Sequence, residues 1–331
     1  MPLESVQNSN QKPSQQFVLQ WHITEKCNLR CTYCMPEEGI KLRSKSHFMT
    51  SDEIITFAKT FVGLGVKKIR ITGGEPLVNK DIKRILTELS KLPVELSITT
   101  NAVLLHDYFD LLKELNIGKL NISIDSLDEA SFNRISRRKH FDVVMKNIRK
   151  AIDLNFEVKL NVVVIKGVNE HEVIDFVKWS ERDKVAVRFI EFMPFDGNKW
   201  DWSKVVSQQD MLNDVKSHYV ENTIIQLQED DHIIARDYQI TGAKGTFGFI
   251  STITNSFCGT CNRIRLTADG KIKNCLFSAD ETDLLTVLRS GGDLESHIRT
   301  SITNKHPQNA GIDYSDKETP LKQRPMTAIG G

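Results

Sequence analysis

Short apolar runs alternate with amphipathic stretches through the first part of the chain. Residues 17–24, 68–72, 94–99, 119–124, 157–165 and 185–190 have the length and β-branched content of strands. Between them, apolar positions at helical spacing predict a helix over 51–62, behind a Thr50/Ser51 cap, and others near 80–91, 105–116, 141–154 and 170–182. Alternating strand and helix implies right-handed crossovers and a parallel sheet. Six units in about 190 residues suit a curved, partly open barrel better than a closed eight-unit one. The expected fold class is α/β: a partial (β/α)6 TIM-like barrel of parallel strands, closed on one side by a smaller C-terminal part with β-strands.

Beyond Trp202 the rhythm shortens, with apolar runs at 223–228, 232–240 and 245–250 and then a second set of cysteines. The division this predicts is a flexible extension over 1–16, a barrel over 17–202 and a C-terminal part over 203–304. A tail over 305–331, rich in Pro, Gly and Asp, is expected to lack regular structure.

Composition narrows the function. A chain of 331 residues that is 40% hydrophobic can bury a sizeable core. Its 44 Lys and Arg against 43 Asp and Glu give a net charge of +1, so nothing in the overall field favours nucleic acid or an acidic membrane. Any basic site must be local. No apolar run reaches the length of a membrane span, and residues 1–12 lack the order of a signal peptide and the arginines of a transit peptide. Six cysteines in such a chain point to a reducing compartment, the cytoplasm, and to metal or redox chemistry.

Cys27, Cys31 and Cys34 form C-x3-C-x2-C on a loop after the first strand. Three thiolates from one short segment can hold three irons of a [4Fe-4S] cube and leave the fourth open to a small molecule. A zinc knuckle would need a fourth ligand that no neighbour supplies. Polar or Gly-rich segments follow the other strands, where the chemistry of a parallel barrel belongs: Thr72-Gly73-Gly74-Glu75-Pro76, Thr99-Thr100-Asn101, Ser123-Ile124-Asp125-Ser126 and Glu191-Phe192-Met193-Pro194. Cys258, Cys261 and Cys275 make C-x2-C-x13-C, whose spacing alone fits a structural zinc or cluster site as well as a working one.

The C-x3-C-x2-C loop with Tyr33 before its last cysteine, followed one unit later by Gly73-Gly74-Glu75-Pro76, resembles the signature of the radical S-adenosylmethionine (SAM) superfamily. The stretch from Cys258 to Gly270, with Thr24 to Cys31, Glu191 to Pro194 and the terminal Ile329-Gly330-Gly331, resembles the GTP 3′,8-cyclase family of molybdenum cofactor biosynthesis. That resemblance implies two [4Fe-4S] clusters, one on Cys27, Cys31 and Cys34 and one on Cys258, Cys261 and Cys275. It implies SAM contacts at Tyr33, Gly74, Ser123 and Met193, and GTP contacts at Arg70, Thr100, Lys159, Arg263 and Arg265. Gly330 and Gly331 are implied to form a tail that reaches the active site. The implied partners are GTP, a one-electron reductant of flavodoxin or ferredoxin type and a downstream cyclic pyranopterin monophosphate synthase, with a homodimer as one arrangement the resemblance allows.

Arg suits a triphosphate because its planar fork makes two parallel charge-assisted hydrogen bonds. Alternate Arg263 and Arg265 on an extended segment project to one face. The chain departs from the family at Gln20, where Arg is usual, and at Asn101-Ala102, where Asn-Gly is usual. The other readings are a peptide-modifying radical SAM maturase and a structural or electron-carrying iron–sulfur protein.

Overall fold

The computed structural model describes residues 17–41, 43–227, 235–255, 261–305 and 324–330. The expectations for residues 1–16, for Cys258 and Gly331 and for most of the tail lie outside the described residues. Six strands come first: β1 (Val18–His22), β2 (Lys68–Thr72), β3 (Glu95–Thr100), β4 (Lys119–Ser123), β5 (Glu157–Val164) and β6 (Val185–Glu191). Each pairs in parallel with the next. The crossovers carry α1 (Ser51–Gly63), α2 (Ile82–Leu89), α3 (Phe109–Glu114), α4 (Glu129–Ser136), α5 (Phe141–Asp153) and α6 (Val173–Arg182). Thr50 caps α1 through a reciprocal capping box with Glu53, worth about 1 kcal/mol. The sequence pattern did not foresee α4.

The C-terminal part holds α7 (Gln208–His218), β7 (Ile224–Gln226), β8 (Arg236–Ile240), β9 (Thr246–Ile250), β10 (Arg263–Leu266), β11 (Lys271–Lys273), β12 (Thr282–Asp283), α8 (Leu284–Arg289) and α9 (Leu294–Thr303). A last turn, α10 (Met326–Ile329), gives the tail regular structure that the sequence reading had denied it. These strands lengthen the barrel sheet itself. β9 lies parallel to β6 at one edge and β10 parallel to β1 at the other. The order is β12-β11-β10-β1-β2-β3-β4-β5-β6-β9-β8-β7, with the sheet left open.

Period-two alternation separates the two faces of the sheet. Leu19, Trp21, Ile69, Ile71, Ile98, Leu120, Leu160, Val187 and Phe189 are fully buried in one core with the apolar stripes of the helices. The intervening positions are polar: Gln20, Arg70, Ser97, Asn121, Asn161, Arg188 and Arg265. Strands of a parallel sheet covered on both faces are usually apolar throughout, so a polar inner face marks where a ligand belongs.

Candidate active site

The cysteine loop is held by backbone on both sides. Arg30 N–H donates to the Ser136 carbonyl at 2.9 Å and Thr32 N–H to Ile135 at 3.0 Å, fixing the loop to the end of α4. Beyond the strand ends, Gly74 N–H donates to Thr24 O at 2.6 Å and Glu75 N–H to Lys26 O at 2.8 Å. This continues the β1–β2 pairing and sets Gly73-Gly74-Glu75-Pro76 against the root of the loop. A Cβ on Gly74 would stand 2.5 Å from Lys26 O, so only glycine permits the approach. Glu75 is fully buried and accepts from the Thr100 hydroxyl at 2.8 Å, Asn101 N–H at 2.7 Å and Leu77 N–H at 3.1 Å. Burial still raises its pKa to about 7 against those donors.

The five described cysteines are free thiols. Burial, then Glu75, pushes Cys27 up to about 11. Burial, then Cys27 and Asp125, pushes Cys34 up to about 12, and Cys31 is raised as well. As thiolates the three would repel one another in a desolvated loop, so that form calls for a cationic group to hold it. Among the described residues no three His, Cys, Asp or Glu side chains are grouped as for a single metal ion. The donor set fits a [4Fe-4S] cube.

One cavity receives most of the expected site. Cys27, Cys31, Cys34, Tyr33, Gly74, Ser123 and Met193 line it together with Arg70, Thr100, Arg263, Arg265, Cys261 and Cys275. The Tyr33 hydroxyl donates to Asp125 at 2.8 Å, and Asp125 also accepts from Val163 N–H at 2.9 Å. Burial raises Asp125 to about 6. The Thr100 hydroxyl is committed to Glu75. Lys159 does not line the cavity: it lies near the N-terminal end of β5, with its ammonium 2.7 Å from Glu157 on the same strand face.

Arg188 on β6 lines the cavity, and sequence reasoning missed it. The signal was available, since it interrupts the apolar alternation of its strand as Arg70 does. Burial, then the neighbouring arginines Arg263, Arg188 and Arg265, lowers Arg70 to about 9. Burial lowers Arg263 and Arg265 to about 10 and lowers Arg188 too. Arg70 Nε and Arg188 Nε are buried without a partner. Desolvated guanidiniums that repel one another are stabilised by a multiply charged anion. Gln20 sits in register between Arg70 and Arg265. A third guanidinium in that row would have like charges on both sides at the strand spacing of about 5 Å. Gln20 removes that repulsion and leaves its side-chain oxygen buried without a partner.

At the second cysteine set, Lys305 is buried and donates to the carbonyls of Cys261 at 2.7 Å and Arg263 at 2.9 Å, with its ammonium 3.7 Å from Cys261 Sγ. Although burial pushes the Cys261 thiol up, Lys305 and then Arg263 bring it below its ordinary value. In the last described segment of the tail, the Gly330 carbonyl accepts from Arg265 at 2.8 Å.

A profile of the radical SAM superfamily matches residues 21–180, and one described as Molybdenum Cofactor Synthesis C matches residues 185–311. GTP 3′,8-cyclase of Thermodesulfovibrio yellowstonii is 39% identical over 313 residues, covering 93% of this chain and 95% of that protein. The chain belongs to the GTP 3′,8-cyclase family. Another relative, Molybdenum cofactor biosynthesis protein 1 of Mus musculus, is 43% identical over 322 residues, 96% of this chain and 50% of that protein. The chain thus spans about half the length of several curated relatives it matches. Streptococcus suis SuiB superposes with a TM-score of 0.60 at 16% identity, over 95% of this chain and 77% of that one, which shows the shared fold. As a radical SAM protein, this member of the cyclase family uses SAM and a [4Fe-4S] cluster, and Cys27, Cys31 and Cys34 are the residues fitted to hold it. Among the described residues no helix is long and apolar enough to cross a membrane.

Proposed function

We propose that the chain converts GTP to 3′,8-cyclo-7,8-dihydro-GTP, the first step of molybdenum cofactor synthesis. The observation that carries this reading is the opening of both cysteine sets onto one cavity that also holds Arg70, Arg188, Arg263 and Arg265. When bound, the first cluster and SAM supply a 5′-deoxyadenosyl radical able to remove hydrogen from C3′ of GTP.

The chain's own residues bind and orient. Gly74 and Glu75, fixed against the cysteine loop, present the strand-end surface for SAM, with Tyr33, Ser123 and Met193 on the same wall. The arginines take the triphosphate. Lys159, paired with Glu157, acts at longer range as part of the positive wall, and Thr100 acts by bracing Glu75. Cys258, Cys261 and Cys275 hold a second [4Fe-4S] cluster, and Lys305 supports Cys261 as a thiolate. Holding both ends of GTP rigid in a water-poor cavity is catalysis by positioning around cofactor chemistry.

On this reading residues 17–202 form the radical SAM part, 203–304 the auxiliary-cluster part and 305–331 a tail whose Gly330-Gly331 end belongs to the active site. The partners are a one-electron reductant of flavodoxin or ferredoxin type and a downstream cyclic pyranopterin monophosphate synthase. The compartment is a reducing one, the cytoplasm, because thiolate ligation of iron requires reduced cysteines.

The test is anaerobic. Clusters are reconstituted, dithionite, SAM and GTP are added, and 5′-deoxyadenosine and the GTP-derived product are followed by mass spectrometry. Equal yields are expected, and Cys258→Ala is expected to keep SAM cleavage while losing the GTP product. Deoxyadenosine with no GTP product from the unaltered chain would overturn the substrate assignment.

A further inference from the structure

The last described segment is fastened to the body of the protein at its first residue as well as through Gly330. Arg324 Nη1 donates to Glu281 Oε2 at 3.0 Å and to Asp269 Oδ1 at 3.3 Å, while Nη2 donates to Asp269 Oδ2 at 3.1 Å and lies 3.8 Å from Glu25 Oε1. The same two carboxylates hold Arg43, whose Nη2 is 2.6 Å from Glu25 Oε1 and whose Nη1 is 2.9 Å from Asp269 Oδ2. Lys271 and Lys273 complete the group on Glu281 at 3.6 and 3.4 Å. Three acidic side chains therefore meet four basic ones.

The carboxylates are largely desolvated, with Asp269 at 5% and Glu25 at 7% side-chain exposure. Ion pairs on a protein surface contribute little, but a buried carboxylate left without its cation is costly, so this geometry is strongly specified. A bidentate guanidinium also fixes direction, which an ammonium would not.

The four segments that meet here have different tasks. Glu25 lies two residues before Cys27, and Arg43 lies on the chain leaving the same cysteine loop. Asp269 sits in the turn between β10 and β11, where its Oδ1 accepts from the Thr267 hydroxyl at 2.6 Å. Arg324 opens the described segment of the tail. From it, Pro325 to Gly330 make one helical turn, closed by Ala328 N–H to Pro325 O and Gly330 N–H to Met326 O, both 2.9 Å. That turn sets Gly330 on His22 and brings its carbonyl to Arg265.

We propose that Arg324 is a positioning residue: its clasp by Asp269, Glu281 and Glu25 fixes how far Gly330 reaches and keys that reach to the first cysteine loop. The consequence for catalysis rests on the cyclase reading, in which the tail belongs to the active site. The clasp itself does not, and its test separates the two.

Amide hydrogen exchange of the 324–330 segment is measured on the full cluster-free chain and on Arg324→Ala, Arg324→Lys and Glu281→Gln. Glu281→Gln leaves the 267–270 turn untouched and guards against simple misfolding. Exchange of the Ala328 and Gly330 amides is expected to speed up about tenfold or more in Arg324→Ala and less in Arg324→Lys, with the cysteine-loop amides the next affected. Loss of one charge-assisted contact of about 1.5 kcal/mol corresponds to that factor. On the reconstituted enzyme, kcat for the GTP product should fall at least tenfold in Arg324→Ala while KM for SAM stays unchanged, with partial recovery in Arg324→Lys. Unchanged tail exchange in Arg324→Ala overturns the clasp. Fast exchange with undiminished product formation overturns its catalytic consequence. If the unaltered chain forms no GTP product, the cyclase reading fails and the exchange data alone decide the clasp.

Discussion

Arg265 on β10 donates to the carbonyl oxygen of Gly330 at 2.8 Å. A residue of the cavity's cationic row thus touches the tail directly. Both partners are constrained. Arg265 is buried in register beside Gln20, and Gly330 has a φ of +78° with His22 Cβ only 2.9 Å from where its own Cβ would stand. A guanidinium offers five donors, so one side chain can hold the tail and still present N–H groups to an anion.

Gly330→Ala tests that contact. The substitution strains a left-handed φ and places a methyl group against His22, so the turn must lift. Formation of the GTP product is expected to drop about tenfold or more, while SAM cleavage under dithionite persists, as read by mass spectrometry of both products. Full product yield would show that the tail's position is immaterial.

Gly74→Ala acts at the other wall. Its Cβ would meet the backbone oxygen of Lys26 at 2.5 Å and the carbonyl carbon at 2.8 Å, neither of which can swing aside. A cost of about 1–3 kcal/mol is expected, expressed as displacement of the cysteine loop. Iron per chain after reconstitution and SAM affinity by calorimetry should both fall. Normal values for both would refute the bracing role given to this segment.

Arg188→Gln should have opposite effects on binding and stability. Burial of Arg188 outweighs its attraction to Asp237 and Glu157, and its charge also repels Arg70 and Arg263, so without that guanidinium the melting temperature of the ligand-free chain is expected to rise. The KM for GTP should rise about tenfold or more, as for loss of a charged hydrogen bond of about 1.5–3 kcal/mol. A lowered melting temperature with unaltered KM would make Arg188 a structural residue.

His22 sets a pH dependence. Burial first, then Arg324 and Arg265, lowers its pKa from 6.5 to about 3, so between those values the folded chain holds it neutral while the unfolded chain protonates it. The unfolded state binds the extra proton, so stability is complete above about pH 6.5 and is lost as pH falls toward 3. Denaturation of the cluster-free chain from pH 7 to 4 should therefore show a smaller decline in His22→Gln than in the unaltered protein. Parallel curves would contradict the burial of a neutral ring.

The strand and helix rhythm was legible because each element carries its own period. Five of the six barrel strands both begin and end within a residue of the positions the pattern predicts, and β1 is shorter at both ends. The helix α4 escaped because its short sequence places only Phe132 and Ile135 as apolar buried positions, too few to show a helical stripe. Thr100 lines the cavity, and what no local pattern showed is that its hydroxyl donates to Glu75. Lys159 was expected in the cavity and instead answers Glu157, two residues back on the same strand face.

The sequence by itself determined the family and singled out Cys27, Cys31 and Cys34 as the proposed ligands of the first cluster. These three cysteines lie within a single loop, so their spacing is written in nearly consecutive residues. The tertiary structure decided which charges meet. The cationic row joins β10, β2 and β6, and the clasp joins the residues before and after the first cysteines to a distant hairpin turn and the tail. Charge partners of that kind follow from strand register and chain return, which no local pattern encodes.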